Sequence, residues 1–269
     1  MTELDLTEDG FLGGNVQALQ PAKLHHRSGL EAVLLGSAIC PSTHGLAVDL
    51  GAGVGVAGFC AAQRCPALTV MLAERDPDLI AIARRSLELP ANRPIRSRVS
   101  GHVADIASPE SERLAAGLRR EAADFVLCNP PFYRPDSSSA SPAGGRSQAH
   151  MLEHEISDWL RTAAWLLRPR GTLILIVAAS ALVDVLGAMK GRFGAAEILP
   201  IHSRPSHAAE RLILRAVKGR ATQPSILPGL VLHDRPGSAF APGVERLLRG
   251  DAWLGDIQPS WQTGPDTPS

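Results

Sequence analysis

The stretch Asp49-Leu50-Gly51-Ala52-Gly53-Val54-Gly55 decides the fold expected for this chain of 269 residues. It ends an apolar run, and its glycines stand at every second position. Glycine permits a tight turn and a close approach of the backbone to a ligand, so the pattern predicts a strand, a ligand-binding turn and a helix N-terminus. The ligand expected at this turn is nucleotide-like. Its predicted contacts are with Asp49, Gly51, Ala52, Gly53 and Gly55.

Short apolar runs alternate with longer helical patterns along the rest of the chain. This alternation indicates βαβ units and predicts an α/β fold with a Rossmann-like sheet. We expect seven strands, mostly parallel with an antiparallel last strand, and helices on both faces. Strands are predicted at 46–50, 69–74, 99–104, 123–128, 171–178, 196–202 and 210–218. Helices are predicted near 55–64, 77–88, 109–121, 150–168 and 180–191.

The composition and the low-complexity segments predict one domain with irregular additions. The domain is expected to cover residues 1–254, with residues 1–45 forming a helical lead-in that covers the ligand. Residues 255–269 are rich in Pro, Thr, Gln and Ser, a composition that predicts a disordered tail. Residues 134–148 are rich in Ser, Pro and Gly, which predicts a long loop instead of a regular element.

Charge and cysteine usage narrow the classes of partner. The 27 Lys and Arg residues balance 27 Asp and Glu residues, so any contact with nucleic acid must come from a local patch. The four cysteines form no C-x-x-C pair and no zinc-ligand spacing, so reduced thiols and no metal are predicted. The acidic N-terminus lacks the apolar run of a secretory signal, and no membrane span is predicted, which favours a cytoplasmic protein.

Two acidic residues are predicted to end the strands that follow the glycine stretch. Glu74 stands where a carboxylate accepts hydrogen bonds from a ribose diol, with Arg75 beside it as a further contact. Asp105 stands where it can accept from an adenine amino group, with Ile106 as an apolar contact. The glycines also fit G-x-G-x-x-G over residues 53–58, so an NAD-dependent oxidoreductase is an alternative.

The segment Asn129-Pro130-Pro131-Phe132 directly follows the predicted strand at 123–128. Two prolines cannot continue a ladder, so the chain must leave the sheet in a fixed turn at the edge where ligands bind in open α/β folds. Acceptors on Asn129 and Pro130 could each take one N–H of a planar amino group and direct its lone pair at an electrophile. Phe132, next to the single tyrosine Tyr133, offers a face for stacking a planar substrate.

Together these two motifs resemble the class I S-adenosylmethionine-dependent methyltransferases with an N-P-P-[FY] segment, which act on adenine, guanine or glutamine amides. Residues 27–36, 209–214 and 227–233 are similar to the opening and closing regions of the bacterial tRNA1(Val) adenine-N6 methyltransferase family. Leu30-Glu31 stands where that family often has Thr-Asp. The resemblance implies that S-adenosylmethionine is bound by Arg27, Asp49, Gly51, Ala52, Gly53, Gly55, Glu74, Arg75, Asp105, Ile106 and Asn129. It implies that the target amino group is held by Asn129, Pro130, Pro131 and Phe132.

The activity implied by the resemblance is transfer of a methyl group to the N6 amino group of an adenosine in tRNA, with S-adenosylhomocysteine as the product. The first alternative substrate is a glutamine side chain of a release factor or ribosomal protein, because a carboxamide presents the same planar nitrogen. An amino group of rRNA or DNA is a further alternative. Substrate contacts are expected from Phe132, Tyr133, Arg134, Arg146, Arg204 and Arg211.

Two other patterns carry competing interpretations. The segment 150–154 fits the H-x-x-E-H spacing of inverted zinc peptidases, but a polar helix start is expected at this place in any case, so we predict no metal there. A basic run near the C-terminus predicts either a surface that faces RNA or a charged sheet edge that resists aggregation. Its members are Arg204, His207, Arg211, Arg215, Lys218 and Arg220.

Overall fold

An antiparallel hairpin and one large mixed sheet make up the strands of the protein, in a computed structural model that describes residues 5–22, 28–131 and 155–262. The hairpin consists of β1 (Leu6–Phe11) and β2 (Val16–Pro21). The strands of the large sheet are β3 (His44–Leu50), β4 (Ala67–Glu74), β5 (Val99–Val103), β6 (Ala123–Cys128), β7 (Leu167–Ala178), β8 (Phe193–His202), β9 (Ala209–Lys218), β10 (Ser225–Ile226) and β11 (Leu230–Val231).

The order of the strands across the large sheet is β10-β8-β9-β7-β6-β3-β4-β5, and β11 also pairs with β8. From β5 to β7 all neighbours are parallel, whereas β9 lies antiparallel to both β7 and β8. The predicted mostly parallel, Rossmann-like sheet is thereby confirmed, and its antiparallel strand is β9, the last of the seven predicted; the short strands β10 and β11, which were not predicted, follow it and pair parallel with β8. The order reverses between β3 and β6, since β4 and β5 lie on one side of β3 and the later strands lie on the other.

The helices of the described chain cover both faces of the sheet. They are α1 (Leu30–Gly36), α2 (Val56–Arg64), α3 (Pro77–Leu87), α4 (Glu110–Ala115), α5 (Ile156–Leu166), α6 (Leu182–Met189), α7 (Pro242–Arg249) and α8 (Leu254–Ile257). Successive side chains of a strand point to opposite faces. In β7, Ile174 and Ile176 accordingly join the core beneath α1, α2, α3 and α7, while Leu173 and Leu175 join the core beneath α5 and α6. None of these helices is both long and apolar enough to cross a membrane.

The prediction of a helical lead-in over residues 1–45 is wrong for its first half. Residues 6–21 form the β1–β2 hairpin with a 3-10 turn at Leu12–Gly14, and α1 is the one α-helix among the described residues of this range. The physical reason lies in Gly13 and Gly14, whose φ angles of 65° and 92° close the connection between the strands. Similarly, the helix predicted at 109–121 ends at Ala115, shortly before Gly117 with a φ of 95°.

The prediction of a disordered tail from residue 255 is wrong for residues 255–262. Helix α8 and a 3-10 turn at Pro259–Trp261 continue the fold, and the Trp261 side chain is fully buried. Its Nε1 donates to the carbonyl of Ala38 at 2.9 Å, and the guanidinium of Arg215 lies 4.3 Å from its ring centre. One large apolar side chain of this kind anchors a segment whose average composition resembles that of a disordered chain. Residues 263–269 lie outside the described part.

Candidate active site

The glycine turn lies between β3 and α2, at the carboxyl edge of the sheet. Gly51, Gly53 and Gly55 have φ angles of 71°, 56° and 88°, a left-handed conformation that side chains other than glycine rarely adopt. The backbone N–H groups of Gly51 and Ala52 both donate to the carbonyl of Ala73, at 2.8 and 3.1 Å. The turn is therefore fixed to the end of β4.

The three glycines serve different purposes. A Cβ on Gly51 would lie 2.3 Å from the ring of Trp159 in α5, and one on Gly55 would lie 2.7 Å from Leu72 in β4. A Cβ on Gly53 would meet no heavy atom within 4 Å. Gly51 and Gly55 are thus required by packing, whereas Gly53 leaves its backbone open to an approaching ligand.

Glu74, at the end of β4, is held beside Gly53. Its Oε2 accepts from the N–H of Gly53 and its Oε1 from the N–H of Asp76, both at 3.0 Å. Each carboxylate oxygen has a further lone pair, so the group remains able to accept from the hydroxyls of a ribose. The glycine turn and Glu74 are thus joined by a direct hydrogen bond, while the predicted contact of Glu74 with a ribose stays a prediction. Arg75 follows at the same edge.

Asp49 is buried under the turn. Its Oδ2 accepts from the N–H of Gly58 in the first turn of α2, at 2.8 Å. Burial raises the pKa of Asp49 to about 7, although the hydrogen bond from Gly58 opposes this effect; the nearby charge of Glu74 raises the pKa further. The structure therefore gives Asp49 a supporting contact with α2. A contact between Asp49 and a ligand stays a prediction.

Asp105 and Ile106 follow β5 at the same edge. The Oδ1 of Asp105 accepts from the N–H of Ala107 at 2.8 Å, and the side chain of Ile106 is buried. The carbonyl of Ile106 accepts from the hydroxyl of Thr162 in α5 at 2.6 Å, and Arg113 donates to that hydroxyl at 2.8 Å. Sequence reasoning missed Thr162, whose only signal is a polar residue on the buried face of a helix.

Asn129 and Pro130 complete the edge after β6. The Asn129 side chain is half-buried and forms no hydrogen bond with any residue that the structure describes, while Pro130 is buried and Pro131 is exposed. The register places Leu50 beside both Ala73 and Cys128. The glycine turn, Glu74 and Asn129 therefore lie at one edge of the sheet, where the strand order reverses and open α/β folds bind ligands.

Some of the predicted site residues lie outside the described residues, namely Arg27, Phe132, Tyr133, Arg134 and Arg146. The segment 150–154, with its H-x-x-E-H spacing, lies outside them as well. Over residues 5–22, 28–131 and 155–262, no group of three or more His, Cys, Asp or Glu side chains is arranged to hold a metal ion.

The predicted basic run does not form one surface. Arg215 is buried, paired with Glu197 at 2.6 Å. Arg211 pairs with Glu31 at 2.5 Å, and Arg204 donates to backbone carbonyls of a neighbouring loop. The alternative of a charged sheet edge is wrong, because β9 lies between β7 and β8. Substrate contacts by Arg204 and Arg211 stay predictions.

Comparison with known proteins identifies the family to which this arrangement belongs. Residues 31–204 match the model of the methyltransferase small domain family. A tRNA1(Val) (adenine(37)-N6)-methyltransferase of Phocaeicola vulgatus is 28% identical over 189 residues, which are 69% of this chain and 74% of that protein. The ribosomal RNA large subunit methyltransferase G of Pseudoalteromonas translucida is 31% identical over 87 residues, 32% of this chain but only 20% of that protein.

A solved structure supports the same assignment. The crystal structure of a predicted O-methyltransferase from Agrobacterium tumefaciens has a TM-score of 0.72 and 32% identity, and the match covers 83% of this chain and 97% of that one. The glycine spacing alone left an NAD-dependent oxidoreductase open, and the family match decides against it. The chain belongs to the methyltransferase small domain family and is a class I S-adenosylmethionine-dependent methyltransferase.

Proposed function

We propose that the protein methylates the N6 amino group of an adenosine in tRNA. The observation that carries this proposal is the Asn129 side chain, which has no hydrogen-bonding partner in the described chain and lies at the same edge as the open turn at Gly53. An unpartnered amide at a ligand-binding edge is available to a substrate, because its oxygen can accept and its nitrogen can donate.

The residues at this edge fit S-adenosylmethionine. The space over Gly53 admits a ligand against the backbone, and the carboxylate of Glu74 is already oriented by two backbone N–H groups. We assign the ribose hydroxyls to Glu74, and the adenine ring to Asp105 and Ile106. S-adenosylmethionine supplies a methyl group on a positively charged sulfur and leaves S-adenosylhomocysteine.

The protein's own contribution to the reaction is to hold the target nitrogen. The nitrogen of an aromatic amino group is a poor nucleophile because its lone pair is delocalised into the ring. The Oδ1 of Asn129 and the carbonyl oxygen of Pro130 each accept one N–H in our proposal, so that the nitrogen becomes pyramidal and its lone pair is directed at the methyl carbon. The carbon–sulfur bond breaks as the carbon–nitrogen bond forms, and the methylated nitrogen then releases one of its protons to solvent. The gain comes from positioning and electrostatics, and no strong base is required.

The choice of tRNA is supported by the relative from Phocaeicola vulgatus, whose name gives tRNA adenine as its target. The test uses purified full-length protein, radiolabelled S-adenosylmethionine and separate fractions of tRNA, rRNA and protein from a strain that lacks the gene. We expect label in tRNA, recovered as N6-methyladenosine after digestion to nucleosides. Label in rRNA, or in glutamine of a protein, would overturn the choice of substrate.

A further inference from the structure

The edge of the sheet opposite the candidate active site carries a concentration of positive charge. Four segments meet there: residues 119–124 before and within β6, 168–170 in β7, 190–192 before β8 and 218–220 at the end of β9. They contain eight Lys or Arg side chains and two carboxylates, although the whole chain has as many acidic as basic residues. We call these four segments the amino-edge patch.

The segments of the patch are neighbours in the sheet. Ala123 of β6 pairs with Leu167 of β7, and Phe193 of β8 pairs with Lys218 of β9. The Nζ of Lys218 reaches across β7, donating to Glu121 at 2.9 Å and to the carbonyl of Leu167 at 2.7 Å. With about 4.8 Å between adjacent strands, the four segments span roughly 14 Å.

The two carboxylates of the patch are already paired with cations from within it. Asp124 pairs with Arg168 at 2.8 Å and Glu121 pairs with Lys218 at 2.9 Å, which lowers the pKa of Glu121. Six of the eight cations are exposed, namely Arg119, Arg120, Arg168, Arg170, Lys190 and Arg192. Exposed like charges repel each other, so this arrangement favours a polyanionic partner.

We propose that the amino-edge patch binds the phosphate backbone of the RNA substrate. The choice of RNA as the partner rests on the proposed function. Residue Asn129 lies six residues beyond Ala123, so about 20 Å of β6 separates the patch from the site at 3.3 Å per residue. The patch therefore contacts a part of the RNA distant from the target nucleotide. Such contacts add affinity without reading sequence.

The test compares two triple variants with equal loss of charge. Arg120→Gln/Lys190→Gln/Arg192→Gln removes three exposed cations of the patch. The control, Arg85→Gln/Arg246→Gln/Arg249→Gln, removes three exposed cations from α3 and α7. Binding of fluorescently labelled unfractionated tRNA to each full-length protein is measured by anisotropy over a series of KCl concentrations. Thermal melting and affinity for S-adenosylhomocysteine confirm that each variant is folded.

We expect the patch variant to bind tRNA at least 10-fold more weakly than the wild type. The slope of log K against log salt should fall by about 2 to 3, since each phosphate contact contributes roughly 0.7 to 0.9. In the methylation assay its KM for tRNA should rise while kcat stays unchanged. The control variant should behave as the wild type.

Three outcomes would overturn the proposal: unchanged tRNA binding by the patch variant, an equal loss in the control, or tighter wild-type binding to polyglutamate than to tRNA, which would indicate an acidic protein partner. Binding is measured without methyl transfer. A wild type that binds tRNA through the patch but methylates another class of molecule would therefore refute the proposed function alone.

Discussion

Replacing Gly53 with alanine separates the ligand-facing glycine from the glycines required by packing. Gly53 has a φ of 56°, and a Cβ at this position would meet no protein atom within 4 Å. The cost to folding is therefore that of a left-handed alanine, about 1–2 kcal/mol. The added methyl group occupies the space in which we expect the cofactor, so Gly53→Ala should weaken binding of S-adenosylhomocysteine by at least about 10-fold, equal to about 1.4 kcal/mol.

A matched control is available at Gly191, in the turn between α6 and β8. Its φ is 76°, and a Cβ there would also meet nothing within 4 Å. Gly191→Ala should lose the same 1–2 kcal/mol of stability and keep its affinity for S-adenosylhomocysteine. Urea denaturation measures the free energy of unfolding, and isothermal titration calorimetry measures the affinity.

The reasoning is refuted if Gly53→Ala and Gly191→Ala bind S-adenosylhomocysteine equally well. It is also refuted if Gly53→Ala loses much more stability than its control, because the side chain would then meet protein instead of open space. Gly51→Ala provides the contrast, since its Cβ would lie 2.3 Å from the Trp159 ring. We expect its loss of stability to exceed that of Gly53→Ala.

Three further changes test other parts of the structure. Asn129→Ala should lower kcat at least about 100-fold and leave the affinity for S-adenosylhomocysteine within twofold, because its partner is the substrate; a parallel loss of both in calorimetry and kinetics would contradict this role. The pKa of Asp49 is about 7 in the folded protein and near 3.8 in the unfolded chain. Between these two pH values the folded state binds more protons than the unfolded state, so the free energy of unfolding should fall as pH rises from about 4 to 7. Asp49→Asn should flatten this pH profile of stability in urea denaturation. An unchanged profile would contradict the assignment of the pH dependence to Asp49. Trp261→Ala should lower the free energy of unfolding by about 3–5 kcal/mol in the same measurement, and Trp261→Phe should lower it less. A loss below about 1 kcal/mol for Trp261→Ala would show that this side chain does not anchor the C-terminal segment.

The sequence was sufficient to predict the central sheet and to place the described candidate site residues at one edge of it. Strands such as β7 are buried on both faces, so they appear as continuous apolar runs with clear limits. Glu74 ends one apolar strand and Asn129 follows another, Asp105 follows the edge strand β5, and the carboxyl ends of parallel strands meet at one edge. Their proximity therefore required only a correct strand assignment. The hydrogen bond between Glu74 and Gly53 follows from the same topology.

The sequence was insufficient where a contact depends on one side chain or on partners distant along the chain. Nothing in the composition of residues 255–262 indicates that Trp261 packs on Arg215 and bonds to Ala38. The hairpin at residues 6–21 is short. Its turn signal in the sequence was too weak to outweigh the expectation of a lead-in helix. Local propensity is a weak predictor in such segments, because tertiary contacts decide the outcome.

Charge that is clustered along the chain need not be clustered in space, and the basic run is the clearest case. Arg211 and Lys218 belong to one strand, but they lie near its opposite ends and have an odd spacing, so they point to different faces. Arg211 consequently meets Glu31 near the carboxyl edge, whereas Lys218 joins Glu121 at the amino edge. The segments 119–120, 168–170 and 190–192 are far apart in sequence and form one patch only because β6, β7, β9 and β8 are neighbours. The proposed RNA-binding patch therefore follows from strand order and register, whereas Arg211 and Arg215 of the linear basic run are already paired.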